Sequence, residues 1–323
     1  MIKLKSDKLK LIGLIVLLIV LLVTPLVSSS FIITMFIRYM YYGLLTISFA
    51  FMASQLGLFS LMVPVSLTVC GYIIGLGVLR ANMNVWLAIL LGILGSQAFA
   101  ALCGVMVNKS KGTSFLMLTL VISQLVWSLS LQWTTVTNGT TGLLDIRFPE
   151  YLNIFSPQQN INQYYWTFIV FALCVIFVFL LTRSSFGLRL QGVRDSESRM
   201  AALGYKTSTL KWVAFMVANL ISAIAGVLYV YNNGMITPDV MTLSSTNKSL
   251  ISSILGGSGS PLVGSMIGTV IYRTFDVTLS AISRRYLTLV GSLFLLVILV
   301  LPDGITSIAK RIGRIGRRGK KHE

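Results

Sequence analysis

Ionisable side chains inside long apolar runs are the first candidates for chemistry in this chain. Arg273 and Asp276 lie three residues apart in the apolar run 262–279, so their side chains can pair on one helix face. A charged pair inside a membrane-spanning run is a candidate for binding a zwitterionic solute or for gating a path. The alternative is an anchor at the membrane interface, which we favour because Arg284 and Arg285 follow closely.

Residues suited to covalent or metal chemistry are sparse. The three cysteines lie in apolar runs at no metal-like spacing, and the single histidine, His322, is in the C-terminal tail. No G-x-x-x-x-G-K-[ST] motif occurs, so the glycine-rich segment 256–260 does not predict a nucleotide loop. We therefore expect no catalytic residue, no metal site and no cofactor in this chain, and a membrane enzyme is a distant alternative.

The composition indicates an all-α, polytopic helical membrane protein. The chain is 55% hydrophobic and 11% charged, with a mean hydropathy of +0.84. Its net charge of +17 is concentrated in clusters between the apolar runs and in the tails. This distribution marks the cytoplasmic side of a membrane and favours contact with anionic lipid over nucleic acid.

The apolar runs predict about 8–10 membrane segments, some of them broken or re-entrant. The predicted runs are 9–28, 31–53, 54–77, 85–107, 113–133, 164–182, 211–231, 249–256, 262–279 and 286–302. We expect a single transmembrane domain over residues 1–323, with cytoplasmic tails at 1–10 and 303–323, an external loop at 134–163 and a cytoplasmic loop at 183–211. Run 249–256 is short, so it either tilts across or forms a re-entrant hairpin with its successor.

A polar segment, residues 183–211, interrupts the apolar sequence and contains a candidate helix of two to three turns. Asp195 or Ser196 can serve as its N-cap, and Gly204 can close it in a left-handed conformation. The alternative is a solvated basic loop that only fixes the topology. Four residues at helical spacing could offer a partner a small apolar knob flanked by charge: Glu197, Met200, Ala201 and Leu203.

The polar segment, the span and Asn/Gly corner after it, and ILGGSGSPLVGSMIG (254–268) together resemble the LivM-type permeases of branched-chain amino-acid ABC importers. In that family an Arg, a Glu, an Ala and a Gly fall at the spacing seen here. The resemblance implies that the short helix is a coupling helix that docks into an ATP-hydrolysing subunit. The coupling residues implied are Arg194, Asp195, Glu197, Met200, Ala202, Leu203 and Gly204.

The same resemblance implies partners and a location. They are a second, homologous permease subunit, two ATP-hydrolysing subunits that bind the ATP, an extracytoplasmic solute-binding protein and membrane lipid, but no nucleic acid. The expected location is a bacterial plasma (inner) membrane, with several crossings and both termini in the cytoplasm.

Glycine and proline interruptions within spans predict the translocation path, because non-helical backbone at membrane depth must line protein or a water-filled cavity. The resemblance implies path roles for Gln55, Gly57 and Ser60. The sequence departs from the family at Met62 and Val63, where many members have Gly-His. The segment 134–146 is either an external turn or part of an outer vestibule. The predicted path residues are Gln55, Gly57, Ser60, Thr137, Asn138, Gly139, Gly256, Gly257 and Gly259. For Gly71 with Gly75 and Gly264 with Gly268, close helix packing is the favoured interpretation.

The resemblance therefore predicts a permease subunit that takes up branched-chain amino acids, or a related small polar solute, by alternating access. Urea, amides, nucleosides and sugars are alternative solutes. An ion-coupled secondary transporter is the main rival, and it would need buried acids, histidines or an oxygen cage. Asp276 is the one candidate acid in the spans, which argues against proton coupling and leaves sodium open.

Overall fold

The computed structural model describes residues 29–108, 112–146, 159–257 and 262–282, with a few isolated positions outside these ranges. Within them the chain is helical, and Leu143 and Ile236 form an isolated β-bridge. The helices are α1 (Ser30–Leu56), α2 (Val63–Leu79), α3 (Val85–Val107), α4 (Gly112–Gln132), α5 (Thr134–Thr137), α6 (Gln159–Arg183), α7 (Ser185–Asp195), α8 (Glu197–Ala202), α9 (Thr207–Asn233), α10 (Leu243–Gly256) and α11 (Val263–Ile282). The prediction of an all-α membrane protein is confirmed.

Five of the described helices are long and apolar enough to cross a membrane: α1, α3, α4, α6 and α9. The predicted run 85–107 coincides with α3, and the run 113–133 differs from α4 by one residue at each end. The predicted first run 9–28, the last run 286–302 and both basic tails (1–10 and 303–323) lie outside the described ranges.

Helix α9 lies at the centre of the bundle, between α1, α2 and α3. Small side chains allow this close contact: a Cβ added to Gly226 would overlap the Leu67 carbonyl oxygen of α2. Buried polar groups between α9 and its neighbours form hydrogen bonds. Ser66 Oγ of α2 donates to Asn219 Oδ1 over 2.6 Å, and Ser48 Oγ of α1 donates to the Ala218 carbonyl over 2.5 Å.

Helices α3, α4 and α6 surround this centre and expose wide apolar faces. Leu90 and Leu94 on α3, Leu125 on α4, and Leu173 and Leu180 on α6 are all exposed. Apolar faces of this size on membrane-spanning helices are typical of contact with lipid.

The chain between α1 and α2 is broken inside the bundle. Helix α1 ends at Leu56 with Gly57 in the left-handed conformation (φ 68°), and α2 begins at Val63 with Pro64 in its first turn. The start of α2 lies beside the middle of α9, since Ser222 Oγ donates to the Val63 carbonyl over 2.5 Å. Residues 57–62 are thus non-helical backbone within the bundle, as the interruption in the sequence predicts.

Helices α10 and α11 form an antiparallel hairpin. Gly264 packs against Gly256, and Gly268 packs against Ser252 so closely that an added Cβ would overlap the Ser252 carbonyl. At about 21 Å, α10 is shorter than the ~30 Å hydrocarbon core of a bilayer. The hairpin returns the chain to the end of the bundle at which it starts, and the re-entrant alternative stays a prediction. The predicted path residue Gly259 lies outside the described ranges.

Two predicted features need correction. The helix α6 begins at Gln159 and α5 occupies Thr134–Thr137, so the predicted external loop 134–163 is partly helical at both ends. Gly71 makes the predicted close contact with a second helix, at Val230 of α9, whereas the correction concerns Gly75, which packs against non-helical chain. The other contacts are the Ile236 side chain for Gly71 and the Leu143 side chain for Gly75. These two side chains come from segments that the β-bridge joins over one end of the bundle.

Candidate functional site

The polar segment 183–211 contains α7, a helix that the sequence analysis missed. Ser184 caps α7, and Gly187, Leu190 and Val193 are buried against the bundle. Their spacing of three residues is the signal that could have revealed an amphipathic helix. The predicted cytoplasmic loop 183–211 is therefore two short helices, followed by the first turn of α9.

The second of these helices, α8, is the predicted short helix. Ser196 is its N-cap, with its Oγ accepting from the Arg199 backbone N–H over 3.4 Å, and Gly204 adopts a φ of 85°. Both local predictions are confirmed, with Ser196 rather than Asp195 as the cap. At six residues the helix is shorter than the predicted two to three turns.

Two members of the predicted apolar knob face the protein itself. Glu197 pairs with Lys211 of α9 over 2.6 Å, with 26% and 8% of the two side chains exposed. Met200 packs against α7, since a Cβ added to Gly192 would stand 2.7 Å from its sulfur. These two contacts fix α8 to the bundle, so the part of the knob available to a partner is smaller than predicted.

The surface left for a partner is the exposed ridge, which we define as residues 201–206. All six residues of the ridge are exposed, and Leu203 shows 72% of its surface. Ala202 and Gly204, both predicted coupling residues, lie in the ridge, and Asp195 is exposed beside it. Leu203 and Tyr205 are the large apolar side chains that the ridge exposes.

Arg194, another predicted coupling residue, reaches into the bundle. Its guanidinium donates to the Ser54 carbonyl over 2.6 Å, in the last turn of α1. Beside it, Gln191 Nε2 donates to Gln55 Oε1 over 3.2 Å. The Arg194 side chain also covers Gly57, where an added Cβ would stand 3.2 Å from Cγ. We call this set of contacts the α1–α7 junction.

The structure therefore brings two predicted path residues, Gln55 and Gly57, to the coupling segment. Ser60 lies further into the bundle, and its buried Oγ has no hydrogen-bond partner among the described residues. From the sequence, these residues and Arg194 are predicted to have separate roles. The structure shows that they form one junction, immediately before the break between α1 and α2.

Thr137, Asn138 and Gly139 lie at the opposite end of the bundle. Thr137 Oγ1 donates to the Ser130 carbonyl over 2.6 Å, and Asn138 and Gly139 both have positive φ. These contacts make the segment a tight turn at the end of α4. The structure does not bring this group near Gln55, and the third predicted group, Gly256 and Gly257, lies at the end of α10 in the hairpin.

Arg273 and Asp276 form the predicted pair, together with a third residue. The guanidinium and carboxylate are 3.9 Å apart, and Lys248 Nζ from α10 lies 3.2 Å from the same carboxylate. The Arg273 guanidinium also stacks 3.3 Å from the centre of the Tyr42 ring. The pair lines a cavity of about 430 Å³ between α1, the end of α9 and α11. Lys248 was missed because it reaches the pair only across the hairpin.

The ionisable and thiol groups elsewhere offer no metal centre. Cys70, Cys103 and Cys174 are free and buried, and in the described ranges no group of three or more His, Cys, Asp or Glu could hold a metal ion. The two features that stand out are thus the ridge with its junction at one end of the bundle, and the charged cavity towards the other.

These features define a class: a helical membrane protein with a break between two helices, a helical hairpin and a short exposed helix outside the spans. The family model described as branched-chain amino acid transport system / permease component matches residues 31–301. The chain belongs to this family.

Individual relatives are distant. The high-affinity branched-chain amino acid transport system permease protein LivM of Salmonella typhimurium is 20% identical over 71% of this chain. The corresponding protein LivH of the same organism is 26% identical over 68% of this chain and 75% of its own length. The match spans 59% of the length of LivM. No solved structure matches this chain.

Proposed function

We propose that this chain is a permease subunit of an ATP-binding-cassette importer that takes up branched-chain amino acids, or a related small polar solute, by alternating access. The observation that carries the proposal is the exposed ridge beside a helix that is itself fixed to the bundle by an ion pair. A docking surface that transmits force must be exposed to its partner and firmly attached to the part it moves.

In this proposal the ATP-hydrolysing partners bind the ATP and press on α8 through the ridge. The displacement passes from α8 to α7 and then, through Arg194 and Gln191, to the last turn of α1. Gly57 and the non-helical residues 57–62 follow immediately, and non-helical backbone is where two stiff helices can change their relative orientation. The chain contributes a path and a lever, and no covalent chemistry.

The assembly we propose contains a second permease subunit, two ATP-hydrolysing subunits and an extracytoplasmic solute-binding protein, in a bacterial inner membrane. Both termini would lie on the side of the ridge, where the basic clusters favour the cytoplasm. Urea, amides, nucleosides and sugars remain alternative solutes. An ion-coupled transporter is less well supported, because Asp276 is already engaged by two cations.

The ridge is tested with Leu203→Glu in the assembled transporter. A charge at an exposed apolar docking residue should weaken attachment of the ATP-hydrolysing subunits about 30-fold, which corresponds to ~2 kcal/mol. Copurification of these subunits and ATP-dependent leucine uptake in proteoliposomes measure the effect. Leu144→Glu is the matched control, since Leu144 is also an exposed leucine but lies near the other end of the bundle.

Retained copurification with Leu203→Glu would exclude the ridge as the docking surface. Accumulation of leucine against a gradient by this chain without any ATP-hydrolysing subunit would overturn the proposed function as a whole.

A further inference from the structure

The cavity of about 430 Å³ lies towards the end of the bundle opposite the ridge. Its walls include Arg38 and Tyr42 from α1, Tyr229 from α9, and Arg273 and Asp276 from α11. Its volume falls in the range of about 300–1,000 Å³ that is typical of small-molecule sites.

Cations outnumber acids around this cavity. Arg273 and Lys248 both engage the single carboxylate of Asp276, at 3.9 and 3.2 Å. Arg38 also lines the cavity and makes no ion pair or hydrogen bond within the described part of the chain. Three cationic groups thus surround the cavity, against the carboxylate of Asp276 and that of Asp239, whose charge acts on Tyr229 of the cavity wall, so positive charge is in excess by one.

The surroundings strengthen the attraction for an anion. The side chains of Arg273 and Asp276 are only 16% and 14% exposed, so water screens their charges less than on an open surface, whereas Arg38 is exposed and can be reached by a solute. A guanidinium has donors in a planar fork that matches the two oxygens of a carboxylate. The remaining wall carries apolar side chains, among them Phe31, Met35 and Val277, which suit an apolar substituent.

A free ammonium group is a poorer match for the same cavity. The carboxylate of Asp276 is shared between two cations, and a third cation would meet the surplus positive charge. The Tyr229 ring in the cavity wall can still attract an ammonium that arrives attached to a carboxylate, whereas the Tyr42 ring is already covered by Arg273.

We infer that this cavity binds small solutes through their carboxylate group, with Arg38 as the contacting residue. The inference rests on the proposed function for the statement that the bound molecule is a transported solute. It adds the chemical class: a carboxylate is required, an apolar substituent fits, and an amine alone is rejected.

The test measures equilibrium binding of three probes to the purified complex of this chain with its permease and ATP-hydrolysing partners. The probes are L-leucine, isovalerate, which lacks the ammonium, and isoamylamine, which lacks the carboxylate. We expect leucine and isovalerate to bind and isoamylamine not to compete. Arg38→Gln should weaken the binding of both carboxylates about 10- to 100-fold, as expected for loss of a hydrogen bond between charged groups.

Arg80→Gln is the matched control, because Arg80 follows α2 at the same end of the bundle but does not line the cavity. It should bind all probes as the wild type does, and Arg38→Lys should retain part of the affinity. Equal competition by isoamylamine, or equal affinity of the Arg38→Gln and Arg80→Gln complexes, would overturn the inference.

Uptake separates this inference from the proposed function. Wild-type proteoliposomes that transport leucine without any Arg38-dependent binding would refute the carboxylate site and leave the permease role intact. Arg38-dependent binding of isovalerate without ATP-dependent leucine uptake would support the carboxylate site and count against the proposed function. Binding of carboxylates that persists unchanged in every Arg38 variant would place the solute elsewhere in the complex.

Discussion

Replacing Glu197 with Gln should release α8 from the bundle, because it leaves the Lys211 ammonium without its counter-charge. Lys211 is 8% exposed and lies 2.6 Å from the Glu197 carboxylate. Removing one partner of a buried pair costs about 3–5 kcal/mol, since the other charge stays buried and unpaired. Glu197 is 26% exposed, which reduces the effect, and we expect a loss of about 2–3 kcal/mol.

A loss of this size raises the population of the locally opened state about 30- to 150-fold. Limited trypsin digestion measures this population through the rate of cleavage after Arg199, within α8. The rate is proportional to the opened population when opening and closing are fast compared with cleavage. Mass spectrometry of the released fragment identifies that cut specifically. The adjacent Asp195→Asn is the control, because Asp195 is an exposed acid that also lies next to α8.

A second substitution, Lys211→Met, alone and combined with Glu197→Gln, distinguishes loss of this ion pair from a general effect of polarity. Lys211→Met removes the buried charge itself and leaves a partly exposed Glu197 that water can solvate, so its effect should be the smaller one. Glu197→Gln combined with Lys211→Met should cleave within a few-fold of the wild-type rate, since neither charge remains. Glu197→Gln cleaving no faster than Asp195→Asn, or a double mutant worse than either single mutant, would refute the reasoning.

Two glycines give further predictions. Gly57→Ala should lower stability by ~1–2 kcal/mol from its left-handed backbone alone, and by more because its Cβ would press on Arg194. Gly204→Ala is the control, because Gly204 also has a positive φ but no atom lies within 4 Å of an added Cβ. Equal losses of stability for the two variants, measured by thermal unfolding, would contradict a role for the Arg194 contact. Gly268→Ala should cost about 3 kcal/mol or more, because the Cβ would overlap the Ser252 carbonyl and separate the hairpin. Gel filtration in detergent should show a loss of monodisperse protein, and an unchanged profile would argue against this packing.

Hydropathy was sufficient to locate the five described helices that can cross a membrane, because the property that makes a helix cross a membrane is present in its own residues. The run 85–107 matches α3, and Gly57 and Pro64 mark the break between α1 and α2. The ends of α8 were also predictable. Ser196 caps it through its own neighbours, and Gly204 tolerates a positive φ because it has no Cβ.

Side-chain partners were beyond the sequence, because they depend on residues far along the chain. Arg194 contacts Ser54, which is 140 positions away, and Lys248 reaches Asp276 across the hairpin, 28 positions on. A charge on a short helix indicates a polar environment. The charge alone does not show that Arg194 and Glu197 also contact their own chain, and their coupling to a partner stays a prediction.

Helix α1 connects the two features on which the proposals rest. Ser54, in its last turn, accepts the hydrogen bond of the α1–α7 junction, whereas Arg38 and Tyr42 line the cavity. The helix runs without interruption from Ser30 to Leu56, so these positions belong to one stiff element. Under the proposed function, a push on the ridge that moves Ser54 must also move Arg38 and Tyr42. Arg273 belongs to the hairpin, whose contact with Tyr42 would then change. Movement of α1 against the hairpin would thus alter the affinity of the cavity for a carboxylate, which is the thermodynamic coupling that alternating access requires.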